Sequence, residues 1–138
     1  MSLDNDEFRI LVCGGREYGY RTIAETGKKE KYQPEIDNIW HTLDLVRIAI
    51  TRPIVVIEGE QRGADLFARE WAEENGLEVR GYPADWKTYG KSAGFIRNKQ
   101  MLEDGNPHAV IAFPGGPGTK MMIDLARKRD LPVRVISN

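Results

Sequence analysis

Short apolar runs alternate along this chain with longer segments whose apolar residues return every three or four positions, and few folds accommodate that alternation. The first run, Arg9 to Cys13, ends at Gly14-Gly15. A helical repeat over Glu35 to Thr51 (Ile36, Ile39, Trp40, Leu43, Val46, Ile50) closes at Arg52-Pro53. The β-branched run Ile54 to Ile57 leads through Glu58-Gly59 to a helical face of Ala64, Phe67, Ala68, Trp71 and Ala72 within Gly63 to Asn75. Gly76 closes that helix, since glycine accepts the left-handed conformation common just past a helix end. Then follow an alternating run Leu77 to Tyr82, a helix over Ser92 to Asp104, a run His108 to Phe113, a helix Thr119 to Arg129 and a run Pro132 to Ile136.

Continuous apolar strands joined by helices imply a parallel sheet covered on both faces, because each crossover must carry the chain back before the next strand. The expected fold is α/β: a three-layer Rossmann-like domain spanning 1–138, with a central parallel sheet of about five strands in the order 3-2-1-4-5. The charged, unpatterned stretch from Arg16 to Pro34 is expected to be a mobile functional loop or an insertion. Residues 1–7 are expected to be a polar, flexible leader.

Composition removes several classes of function. A net charge of -1 and a pI near 6.1 give no basic footprint for a nucleic-acid backbone, so DNA is the weakest partner. The single cysteine cannot form an intramolecular disulfide, and no Cys/His spacing resembles a metal site. No apolar run reaches bilayer length, and the cysteine usage fits a reducing, cytoplasmic compartment. No cofactor is expected.

In open parallel sheets, ligands lie beyond the carboxyl ends of the strands, at the point where the strand order reverses. The expected order places Gly14, Gly15 and Arg16 opposite Gly115, Gly116, Gly118 and Thr119, with Arg62 and Gly63 on the same rim. Glycine turns entering helices present backbone N–H groups without side-chain obstruction, and a helix N-terminus adds partial positive charge. An anion such as phosphate suits that setting; a plain helix entry turn is the alternative. Neither a P-loop nor a GxGxxG fingerprint is present, which removes support for ATP hydrolysis and ordinary NAD chemistry.

Taken together, Cys13-Gly14-Gly15-Arg16, Gly63-Ala64-Asp65, Pro83-Ala84-Asp85-Trp86, Ala93-Gly94-Phe95-Ile96-Arg97-Asn98 and Pro114-Gly115-Gly116-Pro117-Gly118-Thr119 resemble the SLOG superfamily, in particular its YspA-like branch. That superfamily includes the LOG phosphoribohydrolases, long mislabelled lysine decarboxylases, and the DNA-processing protein DprA. The resemblance implies a Rossmann-like sheet that binds a nucleotide or nucleotide derivative at the glycine rim, as a sensor or effector module in a homo-oligomer. It also implies the alternative, a LOG-like N-glycosidase acting on a nucleoside monophosphate. The LOG pattern PGGxGTxxE aligns through Pro114 to Thr119 but meets Met122 where the catalytic glutamate belongs, and a thioether transfers no proton.

Individual residues carry competing readings. Arg97 with Asn98 meets a phosphate or is an exposed solubilising charge. Asp65 favours an early helical turn, accepts a ribose hydroxyl or acts as a base. Asp85 caps a turn or polarises water, while Trp86 or Tyr89 stacks on a base or packs in the core. Were the protein an enzyme, Asp65, Asp85 and Glu60 would be its candidate acids, with Glu58 a further carboxylate beside the second glycine turn. Cys13 is expected to be a small buried hydrophobe rather than a nucleophile, since neither His41 nor His108 falls near it. The first helix, with Trp40, is expected to mediate a homodimer.

Overall fold

The computed structural model describes residues 6–138. A parallel sheet is built from β1 (Phe8–Cys13), β4 (Ile54–Glu58), β5 (Glu78–Gly81), β6 (Ala109–Ala112) and β7 (Val133–Val135), and β2 (Tyr20–Thr22) pairs with β3 (Lys29–Lys31) as a separate hairpin. The helices are α1 (Gln33–Ala49), α2 (Ala64–Glu74), α3 (Trp86–Tyr89), α4 (Ala93–Glu103) and α5 (Pro117–Lys128). The sheet order is β5-β4-β1-β6-β7. Counting only its own strands this is 3-2-1-4-5; the two hairpin strands shift the labels.

The two-residue period of a strand divides the core into layers. Ile10 and Val12 of β1 face one side with Ile39 and Leu43 of α1 and Phe67 and Trp71 of α2. Leu11 and Cys13 face the other with Met101 and Leu102 of α4 and Met122 and Ala126 of α5. The central strands carry apolar residues on both faces because helices cover both. In β1, Ile10 and Leu11 have a partner on both sides, Ile10 lying between Val56 and Ala109 and Leu11 between Ile57 and Val110.

Tight approach at the sheet's upper rim requires two glycines. A Cβ on Gly14 would lie 2.6 Å from the Cβ of Ala64, and one on Gly63, whose φ is +83°, would lie 2.3 Å from the carbonyl oxygen of Gly15. These contacts seat the start of α2 against the end of β1, and Ala64 N–H donates to Gly15 O at 3.2 Å.

Several expectations need correction. Of the two readings of Arg16 to Pro34, the mobile loop gives way to the insertion, a paired hairpin held to the body of the domain: Glu35 accepts from Gly19 N–H at 2.8 Å, and Tyr18 OH donates to Asn138. Residues 1–5 of the expected leader lie outside the described residues, but Glu7 is fixed between Arg9 (3.2 Å) and Arg80 (2.9 Å). Those guanidiniums hold its carboxyl below the usual range. Trp40 is half-buried and engaged within the chain, its indole N–H donating to Phe67 O at 3.1 Å. The exposed apolar residues of α1 are instead Leu45 (52%) and Ile48 (78%). Among the described residues, no helix is long and apolar enough to cross a membrane.

Candidate functional site

A crevice of about 500 Å³ opens beyond the carboxyl ends of β1 and β6, between the start of α2, α4 and the N-terminus of α5. It sits at the switch point of the sheet, because β1 is flanked by β4 and β6 and the connections leave on opposite faces. Its wall divides into a glycine turn, a polar floor and an apolar flank.

The glycine turn is Gly115 to Thr119, with Gly116 capping α5 and Pro117 in its first turn, two residues earlier than the sequence suggests. Its glycines differ in role. A Cβ on Gly115 would lie 2.2 Å from Thr119 Oγ1 and 2.7 Å from Gly15 N, so Gly115 packs and does not line the crevice. Gly116 and Gly118 have open space where a Cβ would be, and both line the crevice. The N–H groups of Gly118 and Thr119 belong to the first helical turn and have no intrahelical acceptor, so they carry the partial positive charge of this helix end. Thr119 is buried in the third position of the helix rather than capping it.

The floor carries Asp65, Arg97 and Asn98, all buried. Arg97 is therefore no solubilising charge. Its Nη1 donates to Gly59 O at 2.6 Å and its Nε to Asn98 Oδ1 at 2.9 Å, while Asn98 Nδ2 approaches Gly118 O at 3.5 Å and links α4 to the glycine turn. Asp65 accepts from Gly59 N–H at 3.0 Å. It stands in the first turn of α2, so its macrodipole role and its place in the crevice coexist. Burial, with the charge of Glu58, pushes the Asp65 carboxyl up to about 7 against the pull of Arg97 and the Gly59 and Gln61 N–H groups. Glu58, behind the floor, is wholly buried and pairs with Arg69 at 2.7 Å; its carboxyl is raised mainly by burial. Met122 and Cys13 complete the floor from the apolar core, and burial raises the Cys13 thiol far above the range of a nucleophile.

The flank is Trp86, Phe95, Gly94 and Lys91. Trp86 is 52% exposed and its ring edge lies over Gly94, so the core-packing reading fails for it. Tyr89 is equally exposed but faces an outer depression shared with Asp85, away from the crevice. Asp85 caps α3 by accepting from Thr88 N–H at 3.1 Å. Glu60 points to the outer side near Arg69, at 3.8 Å.

Two further expected ligand contacts serve the scaffold. Arg62 is bound to Glu17 at 2.6 Å and lies over the Tyr20 ring, fastening the hairpin excursion to the second turn, and it does not line the crevice. Gly15 lines the crevice, but its N–H is taken by Pro114 O at 2.9 Å. Arg16 lines the rim with an exposed side chain. Lys91, Phe95 and Arg69 are not among the residues the sequence singles out. Phe95 lies in the segment legible as a helix, whereas Lys91 precedes it in a 3-10 turn, Gly90–Ser92, that joins α3 to α4 and carries no periodic signal. Among the described residues, no cluster of three or more His, Cys, Asp or Glu side chains could hold a metal ion.

Residues 8–89 match the YspA, cpYpsA-related SLOG family. The Gene 61 protein of Mycobacterium phage D29 is 38% identical over 132 residues, covering 91% of this chain and 93% of that protein. The X-ray structure of TM1055, a structural-genomics target, aligns with 91% of this chain and 72% of its own at a TM-score of 0.64; at 19% identity this is a likeness of fold. With a family match over more than half of its length and a relative of this similarity along nearly all of it, the chain belongs to the YspA, cpYpsA-related SLOG family.

Proposed function

We propose that the crevice binds a nucleotide or nucleotide-derived small molecule and that the protein acts as a sensor or effector module. The observation that carries this is the open N-terminus of α5: Gly116 and Gly118 leave free space in front of unpaired N–H groups, beside the buried polar side chains of Asn98 and Thr119. A phosphate there gains the helix dipole and several N–H donors, with Arg16 and Lys91 adding charge at the rim. The planar face of Trp86, with Phe95, offers a base an apolar wall at the other end of the same crevice.

Binding is favoured over LOG-like hydrolysis because Met122 fills the position of the LOG glutamate and is 1% exposed, packed among Leu11, Cys13 and Ala126. Thermal unfolding with a panel of nucleoside mono- and diphosphates tests the reading, since a ligand that binds the folded state alone raises the melting temperature by mass action. A concentration-dependent rise is expected. A panel without any shift at millimolar ligand would overturn the proposal.

A further inference from the structure

Two ionisable side chains on the crevice floor are withdrawn from water without being paired to each other. Asp65 is 5% exposed and Arg97 is 6% exposed, and both line the crevice. They meet at one glycine: the point a Cβ of Gly59 would occupy lies 2.7 Å from Arg97 Nη1 and 3.0 Å from Asp65 Oδ2. Each is anchored separately on that glycine's backbone, Arg97 donating to its carbonyl and Asp65 accepting from its N–H. No salt bridge joins the two.

The anchoring leaves groups unused. Nη1 and Nε of Arg97 have acceptors, Gly59 O and Asn98 Oδ1, but Nη2 has none within the chain. No fully buried side-chain polar atom among the described residues lacks a partner, so Nη2 is open to the crevice, on the side of Gly94. Asp65 receives the Gly59 N–H at Oδ2 and also the Gln61 N–H, and a carboxylate with two acceptor positions on each oxygen keeps capacity for a further donor.

The chemistry of the missing partner follows from charge and hydrogen-bond sense. Asp65 and Glu58 face Arg97 and Arg69, two carboxyls against two guanidiniums, so once both carboxyls are ionised, for Asp65 above about pH 7, the floor offers no net positive field of the kind a phosphate seeks. A group seated here has to donate to a carboxylate and accept from a guanidinium a few ångströms away. Adjacent hydroxyls do both; a phosphate at neutral pH has too few protons to give, and a methylene leaves both groups unmatched in a site lined by Cys13, Met101 and Met122.

We infer that Asp65 and Arg97 clamp the vicinal hydroxyls of a ribose, one hydroxyl donating to the Asp65 carboxylate and the other accepting from Arg97 Nη2, so that the crevice selects ribose over 2′-deoxyribose ligands. This deepens the nucleotide reading above and rests on it. The ribose then lies between the phosphate at α5 and the base at Trp86, with its hydroxyl edge turned to the floor.

The test compares ribose 5-phosphate with 2-deoxyribose 5-phosphate, and ribonucleoside monophosphates with their 2′-deoxy counterparts, by calorimetric titration of the intact protein. The ribo compounds are expected to bind at least tenfold more tightly, because a site built around a hydroxyl rejects the analogue lacking it. Asp65→Asn, which keeps the shape but loses the second acceptor, should erase that preference, as should Arg97→Lys. Equal affinity of the wild type for both series overturns the clamp while leaving the nucleotide reading standing. Binding of neither series at millimolar concentration overturns both.

Discussion

The backbone N–H of Gly15 donates to the carbonyl oxygen of Pro114 at 2.9 Å, tying the turn after β1 to the turn after β6 across the switch point of the sheet. Of the two glycine turns that face each other there, one is therefore scaffold for the other.

Within the turn after β6, Gly115 is enclosed and Gly116 is open, which predicts unlike outcomes for like substitutions. Gly115→Ala drives a Cβ into Thr119 Oγ1 and the backbone nitrogen of Gly15, and should cost about 1–3 kcal/mol. Gly116→Ala meets nothing within 4 Å and should leave stability within about 0.5 kcal/mol while weakening phosphate binding, because the new methyl stands where the ligand approaches. Denaturant titration and ligand titration of the two variants check this. Unchanged affinity in Gly116→Ala would remove the turn from the binding site.

Asp65 gives a pH dependence of definite sign. Its carboxyl titrates near 7 in the folded protein against 3.8 as the ordinary value, so between those limits the folded chain holds a proton that the unfolded chain has released. Stability should then fall as pH rises from about 4 to 7, with a slope of at most ~1.4 kcal/mol per pH unit from this group. Glu58, raised by burial, acts in the same direction. Asp65→Asn should flatten the profile and be the more stable form at pH 8. Denaturation midpoints of both proteins from pH 5 to 8 measure it, and parallel profiles would contradict the assignment.

Breaking the ion pair behind the floor should be costlier than its half-exposed arginine suggests. Arg69→Ala leaves the wholly buried Glu58 without its guanidinium, a loss of about 3–5 kcal/mol at neutral pH that shrinks as the pH falls and Glu58 takes up a proton. Chemical denaturation at pH 5 and pH 8 distinguishes this from a simple loss of packing, which would be the same at both.

With Met122 in place of a carboxylate, the wild-type protein should release no measurable free base from nucleoside monophosphates that it binds. Chromatography of overnight incubations tests this. Robust release would make Asp65 the acid to mutate first, since Asp85 and Glu60 lie outside the crevice.

On α1, Leu45 lines an apolar groove with Phe8, Ile50 and Val133, Ile48 is exposed three residues further along the helix, and a second copy of the chain is expected to cover them. Light scattering at micromolar concentration should show a dimer, and Ile48→Glu should shift it to monomer. A monomeric wild type would end that expectation.

The sequence by itself determined the order of the main strands and helices and the parallel sheet covered on both faces, because these follow from local periodicity; that Ile10 and Val12 meet α1 and α2 while Leu11 and Cys13 meet α4 and α5 was decided by the tertiary packing. The rim glycines and most of the site were also legible, as breaks in that period. What each residue does there was not. The hairpin in 16–34 has short, half-polar strands that carry no period, and it is held by distant partners, Arg62 on Glu17 and Asn138 on Tyr18. Gly115 and Gly116 are chemically identical neighbours, and only the approach of Gly15 and Thr119 makes one a packing residue and the other an opening. Asp65 and Arg97 stand far apart in the chain. Their meeting over Gly59 depends on α2 and α4 being packed at the same strand ends, a relation set by burial across the sheet rather than by anything either segment encodes locally.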